Sequence, residues 1–348
     1  MATPAPQSTK KATINDVARH AGVSIKTVSR VLNHEPKVRA STRERIESAM
    51  KALNYRPNSP GRMLASNKTY LIGLIYGDSS SYITRIQNGV LEACHGEHYD
   101  LLIHPCEYTS PKLLDEIREL VEAPRVDGLL LVPPIADLAS VRDLIAELGV
   151  PNVLISRETV SDDDWGVGTN DRAICAQMTK HLIRLGHERI AFVQAQEDHK
   201  AMANRYAGFV DGMNDAGLRV RKRFVLRGDN NFESGIDAAM RLLRMTPRPT
   251  AIFCANDHMA AGAVRATHEL GLKIPGDVSI AGFDDMPIAS QIWPALTTIK
   301  QPLNRMAHRA TQMLIRGLRN DDVSDLSRIV EAEIVERAST GRAPKNTK

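Results

Sequence analysis

From about Tyr70 to about Arg337 the chain alternates short apolar runs with amphipathic stretches, and no other feature limits its possible folds as strongly. Candidate strands cover 71–76, 100–104, 128–132, 152–155, 189–193, 224–226, 251–254, 278–281 and 297–299. Candidate helices over 84–95, 112–122, 172–185, 203–216, 235–244, 258–270 and 303–316 separate them. Strands joined through helices pair in parallel, with helices covering both faces of the sheet. About 280 residues is large for one such core, so two similar lobes are expected.

The residues ahead of this body differ in character. Residues 1–68 hold 13 Lys and Arg against four acids, a net of +9, so the other 280 residues carry −5 of the overall +4. A basic head binds a phosphate backbone through counterion release, whereas an acidic body has no such tendency. Within the head, Thr13 and Asp16 fit a helix cap pair, Gly22 supplies a stop and Ser24 can cap a second helix. This pattern predicts a helix-turn-helix. Ser41 with Glu44 predicts a capping box ahead of Ile46, Ala49, Met50 and Leu53, whose spacing gives a third helix.

At about 100° per residue, Ile25, Lys26, Ser29, Arg30 and Asn33 share one arc of the second helix, while Val28, Val31 and Leu32 lie opposite. One face packs and the other reads. The N-terminal part of such a helix enters the major groove, which makes Ile25, Lys26 and Arg30 the candidates for base edges. Arg30 and Lys26 suit guanine O6 and N7, and Ile25 suits a thymine methyl. Ser24, Thr27, Ser29 and Asn33 are candidates for phosphate and register contacts, and Thr13 and Tyr55 are further candidate DNA-binding residues. Downstream, Ser59 and Pro60 predict the start of a short helix to about Asn67, too short to stand alone and weakened by Gly61.

The stretches Ile14-Asn-Asp-Val-Ala18, Gly22-Val-Ser24, Thr27-Val-Ser-Arg-Val-Leu-Asn33, Thr42-Arg-Glu-Arg-Ile46 and Asn54-Tyr-Arg-Pro-Asn58 resemble the LacI family of bacterial transcriptional repressors. Gly186-His187, Asn256-Asp257, Gly282-Phe-Asp284 and Leu296-Thr-Thr-Ile-Lys-Gln-Pro302 extend the likeness along the body. The resemblance implies an α/β chain, with an all-α helix-turn-helix head and a two-lobed, periplasmic-binding-protein-like body of doubly wound parallel sheets. It also implies a hinge helix that folds on operator DNA, with Arg62 at the DNA and Leu64 as the minor-groove wedge. Gly61 stands where the family usually has Ala.

The organisation expected on this basis is a tail over 1–12, a head over 13–57, a hinge over 58–69, an effector-binding and dimerisation body over 70–338, and a disordered tail over 339–348. The N-lobe would take about 70–168 and 299–322, and the C-lobe about 169–295 and 325–338. Crossings between the lobes are expected near 155–170, 285–298 and 320–330. Ligands of open α/β sheets lie beyond the carboxyl ends of the strands, here between the lobes.

The family match carries Arg205, Asn256, Asp284 and Gln301 to that cleft, with His199 in a variable contact loop. Tyr82 follows the first strand and offers a ring to stack on, while Asn256 and Asp284 are also placed to cap the helices after them. Asn230 stands where some relatives carry an aromatic, and Thr169 where an acid often precedes Asn170. These departures disfavour a stacked purine and favour a sugar or oligosaccharide effector. Trp293, ahead of Pro294, is either a sugar-stacking face or a buried hinge-side residue.

Other classes find little support. The chain has no G-x-S-x-G, P-loop, H-E-x-x-H or Rossmann glycine motif, so an enzyme is not expected, and no catalytic residue or cofactor is assigned. Cys94, Cys106, Cys175 and Cys254 show no C-x-x-C spacing, which suggests neither disulfides nor a metal and fits a reducing cytoplasm. No signal peptide or membrane-spanning run is apparent, which counts against a transport solute-binding protein and a membrane partner. The tail lacks Leu heptads, so a homodimer on near-palindromic double-stranded DNA is the expected assembly.

Overall fold

The computed structural model describes residues 12–32, 38–53, 55, 68–77, 80–123, 125–156, 165–195 and 200–345. The expectations for Asn33, for the hinge with Ser59, Pro60, Gly61, Arg62 and Leu64, and for His199 lie outside these residues. Two compact units are present, Met1–Tyr70 and Leu71–Lys348.

The head contains α1 (Ile14–Ala21), α2 (Ile25–Leu32) and α3 (Ala40–Ala52). The Asp16 carboxylate accepts from the Thr13 amide at 2.9 Å and from its hydroxyl at 2.7 Å, which fixes the entry to α1. Gly22 takes φ 62°, the left-handed conformation that ends the helix without a Cβ penalty. Ser24 Oγ accepts from the Thr27 amide at 3.1 Å and caps α2. Val17, Val28, Val31, Ile46 and Ala49 close the core between the three helices. The expected capping box at Ser41 is corrected. The Thr42 and Arg43 amides bond to the Arg39 carbonyl, so α3 begins at Ala40 and Ser41 falls within its first turn.

The body begins with β1 (Leu71–Tyr76), α4 (Ser81–Glu97), β2 (Asp100–Pro105), α5 (Leu113–Glu122), β3 (Gly128–Leu131), α6 (Ala139–Leu148), β4 (Asn152–Ile155) and β5 (Gly166–Val167). These strands form a parallel sheet in the order β2-β1-β3-β4-β5. β1 and β3 read as apolar runs because helices cover both faces, leaving Ile72, Leu74, Ile75 and Leu129 to Leu131 without solvent exposure. Neither β5 nor a helix over 139–148 was among the candidate elements.

The C-lobe follows with α7 (Asp171–Arg184), β6 (Ile190–Gln194), α8 (Lys200–Asp215), β7 (Val225–Arg227), α9 (Phe232–Leu243), β8 (Ala251–Cys254), α10 (Asp257–Glu269), β9 (Ser279–Asp284), α11 (Pro287–Gln291) and β10 (Thr297–Lys300). The chain then returns to the N-lobe as α12 (Leu303–Arg319), which packs on α4, β3 and β4. It ends on the C-lobe with β11 (Glu333–Val335). The second sheet runs β11-β10-β9-β8-β6-β7, parallel except for the β10–β11 pair. Phe192 anchors its core, stacked on Phe209 and edge-on to Phe253.

Two boundaries differ from expectation. Lys300 still pairs with Asp284 in β9, so the second crossing falls at 301–302 and residues 299–300 belong to the C-lobe. The tail over 339–345 is packed rather than disordered. Ser339 is fully buried, exchanges backbone bonds with Ile280 and Ala295, and is followed by an Ala343 amide bond to the Leu185 carbonyl. No helix among the described residues is long and apolar enough to cross a membrane.

Candidate functional site

The first candidate surface is the outer arc of α2. Ile25 is 49% exposed, unusual for a large aliphatic residue, and Lys26 and Arg30 are exposed beside it while Ser29 is half-buried. Val28 and Val31 turn into the head core, so the two faces separate as their helical spacing requires. The Ser24 and Thr27 hydroxyls bond to each other at 2.8 Å, and the Thr13 hydroxyl is engaged by Asp16. These three stabilise helix starts whether or not they also touch phosphate. Tyr55 is half-buried against the head core.

The second is a cleft of about 400 Å³ between the two lobes. Five expected effector residues, Tyr82, Arg205, Asn256, Asp284 and Gln301, line it. Arg205 projects from α8 and is almost fully buried, its guanidinium 3.6 Å from the centroid of the Phe283 ring. Nε donates to Asp171 Oδ2 at 3.1 Å, Nη1 donates to the Ala255 carbonyl at 2.6 Å, and Nη2 lies 3.5 Å from Asp284 Oδ1. Gln301 Nε2 donates to the same Asp284 oxygen at 2.6 Å. Burial pushes the Asp284 carboxyl up to about 6, against the opposing pull of Arg205 and Gln301. Burial raises Asp171 in the same way.

Backbone shape delivers Asp284 to this position. It takes φ 109° and Asp285 φ 52°, two successive non-glycine residues in a region that costs about 1–3 kcal/mol each and clusters at ligand clamps. Asp285 is held from both lobes: its carbonyl accepts from Arg85 of α4 at 2.7 Å, and its carboxylate from Arg337 at 2.6 Å. Two residues before Asp284 in β9, Gly282 must lack a Cβ, which would clash with Asp257 Oδ1. Asp257 itself accepts from the Thr298 hydroxyl and the Met286 amide.

Asn256 caps a helix and also lines the cleft. Its Oδ1 caps α10 through the Met259 amide at 2.8 Å, and its Nδ2 donates to the Asn230 carbonyl at 2.9 Å at the cleft edge. Tyr82 lines the cleft with its hydroxyl paired to Ser156. Trp293 is 82% exposed and absent from the cleft lining, neither a stacking face there nor a buried hinge residue. Asp171 and His258 line the cleft but were not among the sequence candidates. Asp171, one residue after the notable Thr169 and Asn170, offered only the signal of an acid opening a helix.

A capped helix-turn-helix joined to a two-lobed body with a polar cleft defines a ligand-responsive DNA-binding regulator. The family model described as bacterial regulatory proteins, lacI family, matches residues 13–58, and a periplasmic binding protein-like domain matches 179–340. The HTH-type transcriptional repressor PurR of Haemophilus influenzae (strain PittEE) is 35% identical over 339 residues, covering 94% of this chain and 98% of that protein. PurR of Vibrio atlanticus (strain LGP32) is 32% identical over 331 residues, with 94% and 98% covered. The lac repressor dimer bound to operator and the anti-inducer ONPF superposes with a TM-score of 0.72 at 29% identity, covering 95% of this chain and all of that one. The complex of the transcriptional regulator CelR with cellobiose also gives 0.72, at 26% identity, with 94% and 99% covered. The chain belongs to the LacI family and is a DNA-binding transcriptional repressor rather than an enzyme.

Proposed function

We propose that this repressor binds a near-palindromic operator as a homodimer, reading base edges with Ile25, Lys26 and Arg30, under the control of a sugar or oligosaccharide held between the lobes. The observation that carries the effector reading is the Asp284 carboxylate, turned into the cleft by strained backbone and flanked by Arg205, Gln301 and Asn256. A carboxylate accepting from paired hydroxyls, with amide and hydroxyl partners nearby, is chemistry suited to a polyol ring. The CelR–cellobiose complex supports this class, and the operator-bound lac repressor dimer supports the assembly.

Effector binding shifts operator affinity only as far as it prefers one arrangement of the lobes, typically about 1–3 kcal/mol. The Arg85 and Arg337 contacts to Asp285 tie that preference to the backbone beside the site.

A second reading is a purine, favoured by the PurR relatives. Against it stands Asn230 at the cleft edge, where a stacking ring is absent and the side chain and carbonyl face Asn256 instead. Thermal-shift measurements on the full chain against panels of mono- and oligosaccharides and of purine bases separate the two. Stabilisation by a saccharide, with a matching change in operator binding by fluorescence anisotropy, is expected. Stabilisation by purines alone overturns the sugar assignment.

A further inference from the structure

Away from the cleft, the outer edge of the N-lobe sheet gathers three side chains that the repressor function does not use. β2 is the edge strand, and His104 and Cys106 are two residues apart on its course, which points both to the face covered by α5. Cys106 joins the core layer formed with Leu113, Ile117 and Leu120 of α5, and Glu116 stands on the same helix. One ligand atom from each of His104, Cys106 and Glu116 lies within 4.8 Å of the other two.

This grouping includes an unmet requirement. His104 Nε2 is buried and has no hydrogen-bond partner among the described residues. Such a ring nitrogen forfeits the compensation that buried polar groups almost always find, and calls for a ligand or a reason. Glu116, close enough to share a ligand, makes no hydrogen bond to it.

We propose that His104, Cys106 and Glu116 form a binding site for a divalent transition-metal cation of the Zn²⁺ type. The donor set selects the class. A thiolate and an imidazole exclude the hard cations Ca²⁺ and Mg²⁺, which take oxygen ligands, and suit a borderline-soft ion. Three protein ligands leave a fourth tetrahedral position for water or an exogenous ligand. Bonds of about 2.0–2.3 Å set donor atoms roughly 3.2–3.8 Å apart, so donors that lie within 4.8 Å of one another draw in by about 1 Å to close on an ion. Binding displaces the thiol proton of Cys106 to solvent and gives the lone pair of the unpartnered imidazole nitrogen a cation to bind. The bound ion clamps edge strand β2 to α5. The segment leading from Cys106 reaches the cleft two residues later at Tyr108. Cysteine spacing gives no hint of this site, because one ligand comes from a strand end, one from the residue just past it and one from the next helix.

The test titrates the chelator-stripped full chain with Co²⁺. One equivalent per chain should produce a near-ultraviolet thiolate-to-cobalt charge-transfer band with the visible bands of tetrahedral cobalt, and Zn²⁺ should bleach both. Cys106→Ser should remove the charge-transfer band. Because that buried substitution can unfold the lobe, Glu116→Gln and His104→Gln are measured alongside it with circular dichroism as the fold control. Each should keep the fold and weaken Co²⁺ binding at least roughly tenfold. Absence of the charge-transfer band in the unaltered chain, its persistence in folded Cys106→Ser, or unchanged affinity in both folded milder variants overturns the proposal.

Discussion

Arg205 Nη2 lies 3.5 Å from Asp284 Oδ1, and both side chains are almost withdrawn from water. The same guanidinium bonds Asp171 and the Ala255 carbonyl, so it compensates two buried carboxylates before any effector arrives. Removing one partner of a buried ion cluster strands the charges left behind, a loss of about 3–5 kcal/mol. Arg205→Ala is therefore expected to lower the denaturant midpoint of the body sharply as well as to abolish effector response. Arg205→Lys should fail to restore the midpoint, since an ammonium cannot reproduce the planar fork. A midpoint equal to that of the unaltered chain in Arg205→Ala would show that the cluster is dispensable for folding, and in Arg205→Lys that an ammonium replaces the fork.

Asp284 predicts a pH dependence of effector binding. Its carboxyl holds a proton up to about 6 in the folded chain, whereas its ordinary value is 3.8. Between those values the folded state binds more protons than the unfolded one, so this group's contribution to stability falls as pH rises through the window. An ionised carboxylate accepts from effector hydroxyls more strongly than the protonated acid does, so affinity should rise between pH 5 and pH 7 and level off above. Calorimetric titration across that range measures it. Asp284→Asn should bind weakly and lose the pH dependence; retention of the slope in that variant would assign the titration to another group.

The strands were legible because buried parallel strands are runs of apolar residues whatever their partners, as in Leu71–Tyr76 and Ala251–Cys254. β5 has two residues and β11 carries Glu333, too little apolar sequence to register. The Arg205 position was legible through family resemblance, but its pairing with Asp171 was not. The two residues come from different helices, and no local pattern links them. The tail failed for a related reason. Polar composition suggested disorder, whereas Ser339 is held by hydrogen bonds to distant segments.

That tail contact gives a third prediction. Ser339 Oγ donates to the Ile280 carbonyl at 2.6 Å and accepts from the Thr297 amide at 2.8 Å in a fully buried setting. Ser339→Ala leaves the Thr297 amide without that acceptor, at a cost of about 1–3 kcal/mol. Hydrogen exchange should accelerate at Thr297 and its β10 neighbours while operator binding by the folded protein stays unchanged. Unaltered protection there would mean that β10 is secured without the tail.

Arg30 provides the test of reading at the head. It is exposed on the outer arc of α2, on the side opposite the Val28 and Val31 anchors, so shortening it leaves the head core intact. A guanidinium on guanine O6 and N7 discriminates between bases, whereas one on phosphate does not. Arg30→Ala should therefore weaken operator binding by about 1–3 kcal/mol and flatten the preference at one symmetric pair of base positions. Its thermal midpoint and effector affinity should match those of the unaltered chain. Anisotropy titrations against the operator, single-base variants and random duplex at fixed salt distinguish the two roles. Equal losses on operator and random DNA, with a shallower salt dependence, would reassign Arg30 to the phosphate backbone and leave base recognition to Ile25 and Lys26.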